Sequence, residues 1–177
     1  MSGRVLVAGI GNIFCSDDGF GSVVARRLAE QPMPQGVRVV DYGIRGMHLA
    51  YDLLDGYDAL VVVDALPGRG EPGELVVLAV GPEDLGEGEF DAHGMAPVAV
   101  LASLGQLGGS LPPTFIVGCR PADVGEGMGL SAAVAAAVDG AVGLVHEVLA
   151  EQLSLGEERP AERSHATAST HHQKDTR

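Results

Sequence analysis

Two stretches of the chain are apolar at every position, residues 5–8 and residues 59–63. A strand that faces water on one side alternates apolar and polar residues, whereas a strand covered on both faces is apolar throughout. Both stretches are therefore predicted to be central strands with helices packed on each face. Strand and helix patterns alternate along the rest of the chain, so we predict a three-layer α/β/α sandwich around a mostly parallel five-stranded sheet.

The individual elements are predicted from apolar periodicity and from turn residues. The short connection between the third and fourth strands suits antiparallel pairing, because a parallel crossover needs about a dozen residues or more. Right-handed crossovers place the first strand between the second and the third. Strands are predicted over residues 4–8, 37–41, 59–63, 74–78 and 114–118, and helices over residues 18–30, 46–54, 96–104 and 130–153.

The periodic pattern ends near residue 153, and the residues after it are mostly polar and follow no period. A segment of this kind cannot bury enough apolar surface to offset its ordering entropy. We therefore predict a single α/β domain over residues 1–153 and a disordered tail over residues 154–177.

Removal of the tail is expected to leave stability unchanged. A chain that ends near residue 156 should keep the melting temperature of the full chain within error, because the tail has no apolar face to contribute. Differential scanning calorimetry of the two chains measures this, and a large drop would show that the tail docks on the domain.

Charge and cysteine content narrow the classes of partner. The formal net charge is −13, and a negative field of this size repels nucleic acid and anionic membrane surfaces, so neither is an expected partner. No apolar stretch is expected to reach the roughly 18–20 residues of a membrane span, and the N-terminus lacks a signal-peptide pattern. The two cysteines make no disulfide framework, which indicates a cytoplasmic protein.

A glycine-rich loop with two adjacent carboxylates runs from Gly9 to Gly21, directly after the first predicted strand. Glycines after a first strand are typical of dinucleotide-binding folds, in which backbone amides approach a pyrophosphate. Here Phe14 occupies the place of the third glycine of that motif. Asp17 and Asp18 also put negative charge where a phosphate needs a free helix N-terminus. The loop therefore favours a cation or a proton over a phosphate.

Asp18, Asp64 and His93 are predicted to lie on one rim of the sheet. Asp18 follows the first strand, Asp64 ends the third, and His93 precedes the third helix. Ligands of open parallel sheets bind beyond the carboxyl ends of the strands where the strand order reverses. Two carboxylates and an imidazole suit an open metal site, or general acid and base chemistry. The structural alternative is a helix cap for the first acid and a turn for the second.

Residues 16 and 17 are predicted to cap the first helix while Asp18 faces the crevice. Asp17→Ala would then cost about 0.5–2 kcal/mol of stability and spare much of the activity. Cys15 is predicted to be a small packing residue. Arg45 and Arg120 stand near the rim, where either guanidinium could hold a carboxylate of a partner.

Four separate blocks of the chain form a pattern by their order and spacing. The blocks are Gly9-Ile-Gly-Asn-Ile with Asp17-Asp18-Gly19 and Gly21, then Gly46-Met47, then Val63-Asp64-Ala65, then Asp91-Ala92-His93. This pattern resembles the hydrogenase maturation endopeptidases, and the resemblance covers about residues 4–150. Members of that family remove a short C-terminal extension from the large subunit of nickel–iron hydrogenases after nickel has been inserted.

The resemblance implies a site, a metal and a partner. The family's nickel-contacting residues match Asp18, Asp64 and His93, which are therefore the expected catalytic and metal-binding residues. The expected partner is a hydrogenase large-subunit precursor, and nickel is expected to arrive inside that precursor and not as a resident cofactor. Many relatives have Glu in place of Asp18, and many have Gly-Thr where this chain has Gly43-Ile44.

Two other functions remain open from the sequence. A receiver domain of a response regulator shares the predicted fold and the rim acids, but it needs a lysine after the fifth strand, where this chain has Cys119-Arg120. A non-catalytic, nickel-dependent maturation chaperone would dock on the precursor without cutting it. For the protease, the residues do not choose between a metal-polarised water and a carboxylate general base.

Overall fold

A computed structural model describes residues 3–85 and 97–157. His93 and the predicted tail from residue 158 onward lie outside these residues, so their predicted roles stay predictions. The described part forms the three-layer sandwich expected from the sequence, with one sheet between two pairs of helices.

The sheet of the described residues has five strands in the order β2-β1-β3-β5-β4. Neighbouring strands from β2 to β5 pair in parallel, and β4 pairs with β5 antiparallel. The position of β1 between β2 and β3 and the antiparallel fourth strand confirm the predicted topology. The strands are β1 (Val5–Ile10), β2 (Val37–Gly43), β3 (Ala59–Ala65), β4 (Leu75–Val80) and β5 (Thr114–Cys119).

Four helices cover the two faces of the sheet within the described residues. Alternate residues of β1 point to opposite faces, so Val5 and Val7 pack under α1 and α4, whereas Leu6 and Ala8 pack under α2 and α3. Both sides of β1 and β3 are therefore buried, as their uninterrupted apolar sequences predict. The helices are α1 (Phe20–Ala29), α2 (Gly46–Leu53), α3 (Pro97–Gln106) and α4 (Ala132–Glu157).

Two differences between the predicted and observed helix ends affect the candidate site and the domain boundary. A single 3-10 turn, Ser16–Gly19, precedes α1, so the long first helix predicted over residues 18–30 is wrong at its start. At the other end of the domain, α4 continues to Glu157, four residues beyond the predicted boundary. Alanine and glycine are frequent in α4, and the predicted boundary rested on the last clearly apolar residues.

The helix α4 is long and apolar enough, by length and composition alone, to cross a membrane, which the sequence analysis did not expect. Its apolar character comes largely from small residues and from one buried face. Val134, Val138, Val145 and Leu149 repeat at helical spacing and pack into the same core cluster as Val5 and Val7. In this structure α4 is a core helix that covers one face of the sheet.

Candidate active site

A glycine brings the start of α1 against the end of the sheet. A Cβ atom on Gly21 would collide with the carbonyl oxygens of Ile10 and Val63. Only a residue without a side chain lets the helix approach β1 and β3 this closely. This contact places the 3-10 turn, with its two carboxylates, at the carboxyl ends of the two strands.

Asp17 is fully buried and serves as an anchor, not as a helix cap. Its Oδ2 accepts hydrogen bonds from the Ala122 amide at 2.8 Å, the Asp123 amide at 3.1 Å and the Ser131 hydroxyl at 2.9 Å. Its Oδ1 accepts one from the Ser131 amide at 2.7 Å. Burial raises the pKa of Asp17, but the hydrogen bonds from Ser131, Ala122 and Asp123 outweigh it and leave the pKa below its usual value.

The predicted capping role of residues 16 and 17 is therefore wrong. The N-cap of α1 is Gly19, and no side chain of the described residues forms a capping hydrogen bond there. The carboxylate of Asp17 instead satisfies the backbone of a loop more than a hundred residues away in the chain. That pairing could not be predicted because a lone carboxylate before a helix is usually a local cap.

Further bonds fasten the first loop to the loop that follows β5. The Ser16 amide donates to the Gly127 carbonyl at 2.8 Å, and the Gly127 amide donates to the Phe14 carbonyl at 2.9 Å. The Ser16 hydroxyl donates to the Gly125 carbonyl at 3.0 Å. These bonds hold Ser16 at a positive φ of 51°, which is uncommon for a residue other than glycine. The backbone before Asp18 is thus fixed from outside the loop.

Asp18 and Asp64 line one cavity of about 430 Å³ between the ends of β1 and β3. This is the crevice predicted from the strand order, and Asp18, not Asp17, faces it. One oxygen of Asp18 accepts a hydrogen bond from the Asn12 amide at 3.0 Å. That bond orients the carboxylate, and no partner is found among the described residues for its other oxygen.

Asp64 is only 6% exposed although it borders the cavity. Burial raises the pKa of Asp64 well above its usual value, and the negative charge of Asp18 raises it further. A hydrogen bond from the Ala65 amide offsets only part of this effect. The carboxylate therefore carries an unfavourable charge, which a cation or a proton in the cavity would relieve.

Two other residues near the cavity have roles that the sequence did not indicate. Cys15, predicted to be a packing residue, lines the cavity together with Asp18. The Arg120 guanidinium donates to the carbonyl oxygens of Leu66 at 2.9 Å and Pro67 at 3.3 Å. Arg120 therefore positions the loop that follows Asp64, since the carbonyls that it binds belong to that loop.

No group of three His, Cys, Asp or Glu side chains in residues 3–85 and 97–157 is arranged to hold a metal ion. Asp18 and Asp64 are the described residues that fit a divalent cation at this rim, because both offer carboxylate oxygens to one cavity. A complete coordination shell would need further ligands, from the undescribed segment that contains His93 or from a bound molecule.

Large apolar side chains are exposed on the loops around the cavity. Phe14 is 64% exposed, Ile44 is 66% exposed and Met128 is 72% exposed. Ile44 lines the cavity itself, and the backbone bonds between Phe14 and Gly127 bring the other two side chains to neighbouring loops. Exposed apolar residues grouped around a site are typical of surfaces that contact another macromolecule.

Known proteins resemble this chain in sequence. A family model described as hydrogenase maturation protease matches residues 23–148. The chain is 35% identical over 144 residues to the hydrogenase expression/formation protein HupD of Rhodobacter capsulatus, a match that covers 78% of this chain and 68% of that protein. It is 28% identical over 153 residues to the hydrogenase 2 maturation protease of Escherichia coli, with 84% of this chain and 92% of that protein covered.

Solved structures show the same fold. The hydrogenase maturating endopeptidase HybD of Escherichia coli matches with a TM-score of 0.72 and 28% identity, covering 84% of this chain and 93% of that one. A hydrogenase 2 maturation peptidase of Thaumarchaeota archaeon SCGC_AB-539-E09 matches with a TM-score of 0.66 and 33% identity, covering 83% and 98% of the two chains. The chain therefore belongs to the hydrogenase maturation protease family.

Proposed function

We propose that this protease removes the C-terminal extension of a nickel–iron hydrogenase large-subunit precursor after nickel has been inserted. The observation that carries the proposal is the shared cavity of Asp18 and Asp64, which no Lys, Arg or His of residues 3–85 and 97–157 lines. Membership of a protease family argues against the receiver alternative, and the lysine that a receiver needs is missing after β5.

Nickel in the precursor is the cargo that this site recognises. Asp18 and Asp64 supply two carboxylate oxygens, and His93 supplies an imidazole, which is a favourable ligand for nickel. The chain reaches the cavity wall at Pro97, four residues after His93. Four residues span at most about 14 Å, a short connection that is compatible with a role for His93 at this cavity.

Hydrolysis of the peptide bond requires a water molecule that loses a proton as it attacks the carbonyl carbon. One of the two rim carboxylates can take this proton as general base and return it to the amine nitrogen that leaves as the C–N bond breaks. The precursor's nickel can lower the pKa of the same water and polarise the carbonyl oxygen. The exposed apolar residues Phe14, Ile44 and Met128 around the cavity suit a folded protein substrate better than a small molecule.

Cleavage should depend on nickel and on His93. Purified protein is mixed with a large-subunit precursor from its own host, with and without nickel, and shortening is followed by intact mass spectrometry. Nickel-loaded precursor should be shortened at its C-terminus and nickel-free precursor should stay intact. His93→Ala should lower the rate by at least about a hundredfold. His146→Gln is the control, because His146 lies on α4 and contacts Gln31.

Each contrary outcome removes a different part of the proposal. Equal cleavage of nickel-loaded and nickel-free precursor would contradict the recognition of nickel. Binding of the nickel-loaded precursor without cleavage would favour the non-catalytic chaperone. A His93→Ala variant as active as His146→Gln would remove the histidine from the site.

A further inference from the structure

A second cavity, of about 390 Å³, lies between the edge strand β2 and helix α2. Arg38, Val40 and Tyr42 line it from one face of β2, where every second side chain points the same way. His48 and Tyr51 line it from α2. We call this space the β2–α2 cleft.

The charges in the β2–α2 cleft are unevenly compensated. Among the residues that the structure describes, Asp52 is the one carboxylate that lines the cleft. It accepts a hydrogen bond from the Tyr42 hydroxyl at 2.5 Å and lies 3.6 Å from the Arg38 guanidinium. Arg45 is bonded only to backbone carbonyls among the described residues, from Nη2 to Asp41 at 2.8 Å and from Nε to Tyr42 at 3.2 Å. Two guanidinium groups therefore face one carboxylate, which leaves the cleft positive.

A positive cleft is unusual on this chain, whose formal net charge is −13. The backbone bonds of Arg45 fix its side chain without neutralising it, so its position is set before any ligand binds. Guanidinium groups held in place bind carboxylates with paired, charge-assisted hydrogen bonds. The tyrosine rings of Tyr42 and Tyr51 provide apolar walls beside these charges.

One turn joins the β2–α2 cleft to the acidic cavity. Arg45 lines the cleft, and its neighbours in sequence, Ile44 and Gly46, line the cavity that holds Asp18 and Asp64. A polypeptide that leaves the acidic cavity across this turn arrives at Arg45. Opposite charges then lie at the two ends of a short path, and such charge patterns fix the orientation of a bound partner.

We propose that the β2–α2 cleft binds a carboxylate of the precursor's C-terminal extension. The inference rests on the proposed function, since it assumes that the extension passes through the acidic cavity. The acidic pair repels the carboxylate and attracts the cation, whereas Arg38 and Arg45 attract the carboxylate. The two sites together set the direction in which the extension lies.

Kinetics of matched arginine variants test the cleft. Arg38→Gln is expected to raise the KM for nickel-loaded precursor about tenfold and to leave kcat unchanged, because Arg38 lies away from the reacting atoms. His48→Glu should also raise the KM, because it adds a negative charge to the cleft. His48 is exposed, so this substitution should leave the fold intact. Arg27→Gln is the charge-matched control, because Arg27 pairs with the exposed Asp139 on a remote surface. Equal KM values for all four proteins would overturn the proposal.

Synthetic extension peptides identify which carboxylate binds. The peptide with free carboxylates should bind the wild-type protein about tenfold more tightly than a form with an amidated C-terminus, or than a form with its Asp and Glu side chains replaced by amides. Weaker binding of the peptide with the amidated C-terminus would show that the terminal carboxylate binds the cleft. Weaker binding of the peptide with amide side chains would show that an Asp or Glu side chain binds there. Equal binding of all forms would overturn the proposal. The proposal would also be overturned if Arg38→Gln weakened the binding of inorganic phosphate but left the binding of the peptides unchanged.

Peptide binding also separates this inference from the proposed function. If wild-type protein fails to cut nickel-loaded precursor, the proposed function is contradicted. Calorimetric titration of the same peptides into wild type, Arg38→Gln and Arg27→Gln still decides whether the cleft binds carboxylates.

Discussion

Asp64→Asn is expected to abolish cleavage of the precursor while it makes the free protein more stable. The amide keeps the size of the side chain and can still accept the bond from the Ala65 amide, but it offers no negative charge to nickel and takes up no proton. The rate should fall by at least about a hundredfold. Asp55→Asn is the control, since Asp55 is an exposed residue after α2. Cleavage by Asp64→Asn within a few fold of wild type would contradict the site.

The gain in stability follows from the sign of the pKa shift at Asp64. Its pKa is raised in the folded protein, so folding is favoured with the proton bound, and this contribution is lost as the pH rises through the folded pKa. At neutral pH, where the unfolded chain has lost this proton, the raised pKa of Asp64 therefore lowers the free energy of unfolding, and the amide has no such effect. We expect the melting temperature of Asp64→Asn to exceed that of wild type by at least about 2 °C at pH 7. The difference should vanish near pH 4, and a variant less stable than wild type at pH 7 would contradict this account.

Asp17→Ala is expected to cost about 3 kcal/mol of stability or more, in contrast to the smaller loss that a cap would give. The substitution leaves the amides of Ala122, Asp123 and Ser131 without the buried carboxylate that accepts their hydrogen bonds. Urea denaturation measures the loss. Asp139→Ala is the control, since its exposed pair with Arg27 should contribute less than about 1 kcal/mol. Cleavage should fall as well, because the same bonds hold the loop that carries Asp18.

The effect of Asp17→Ala should also depend on pH. The folded pKa of Asp17 is lowered, so its stabilising contribution is present above the unfolded pKa of about 3.9 and is lost as the pH falls through the folded pKa. The difference in the free energy of unfolding between wild type and Asp17→Ala should therefore become smaller at acid pH. If this difference stays constant from pH 7 to pH 3, or if it is below about 1 kcal/mol at pH 7, the bonds to the distant loop contribute little.

The layers and the strand order could be predicted because they depend on apolar periodicity and handedness. Residues 5–8 of β1 and residues 59–63 of β3 are apolar at every position, which requires cover on both faces, and this places Asp18 and Asp64 at one edge. The shared cavity of the two acids follows from that arrangement. The start of α1 was not predictable in the same way, because an acid before a helix fits a local cap as well as a distant partner.

The roles of Asp17 and Arg120 depend on contacts between segments far apart in the chain. Asp17 binds amides near residues 122–131, and Arg120 binds carbonyls of Leu66 and Pro67. Backbone groups carry no sequence signal, so nothing in the residue types marks these partners. The β2–α2 cleft was missed for a related reason, since its seven lining residues become neighbours only when α2 packs beside the edge strand.

The placement of β5 has a consequence for the order in which the protein matures on the ribosome. β5 lies between β3 and β4, and the loop after it fastens the segment that carries Asp18. While the first hundred residues emerge, β3 lacks a neighbour on one side, and the segment with Asp18 lacks its anchor. The N-terminal elements are synthesised first, but they can complete their packing only after residues 114–131 have been synthesised. Competence to cut another chain is thus acquired late in synthesis, when the last strand enters the sheet.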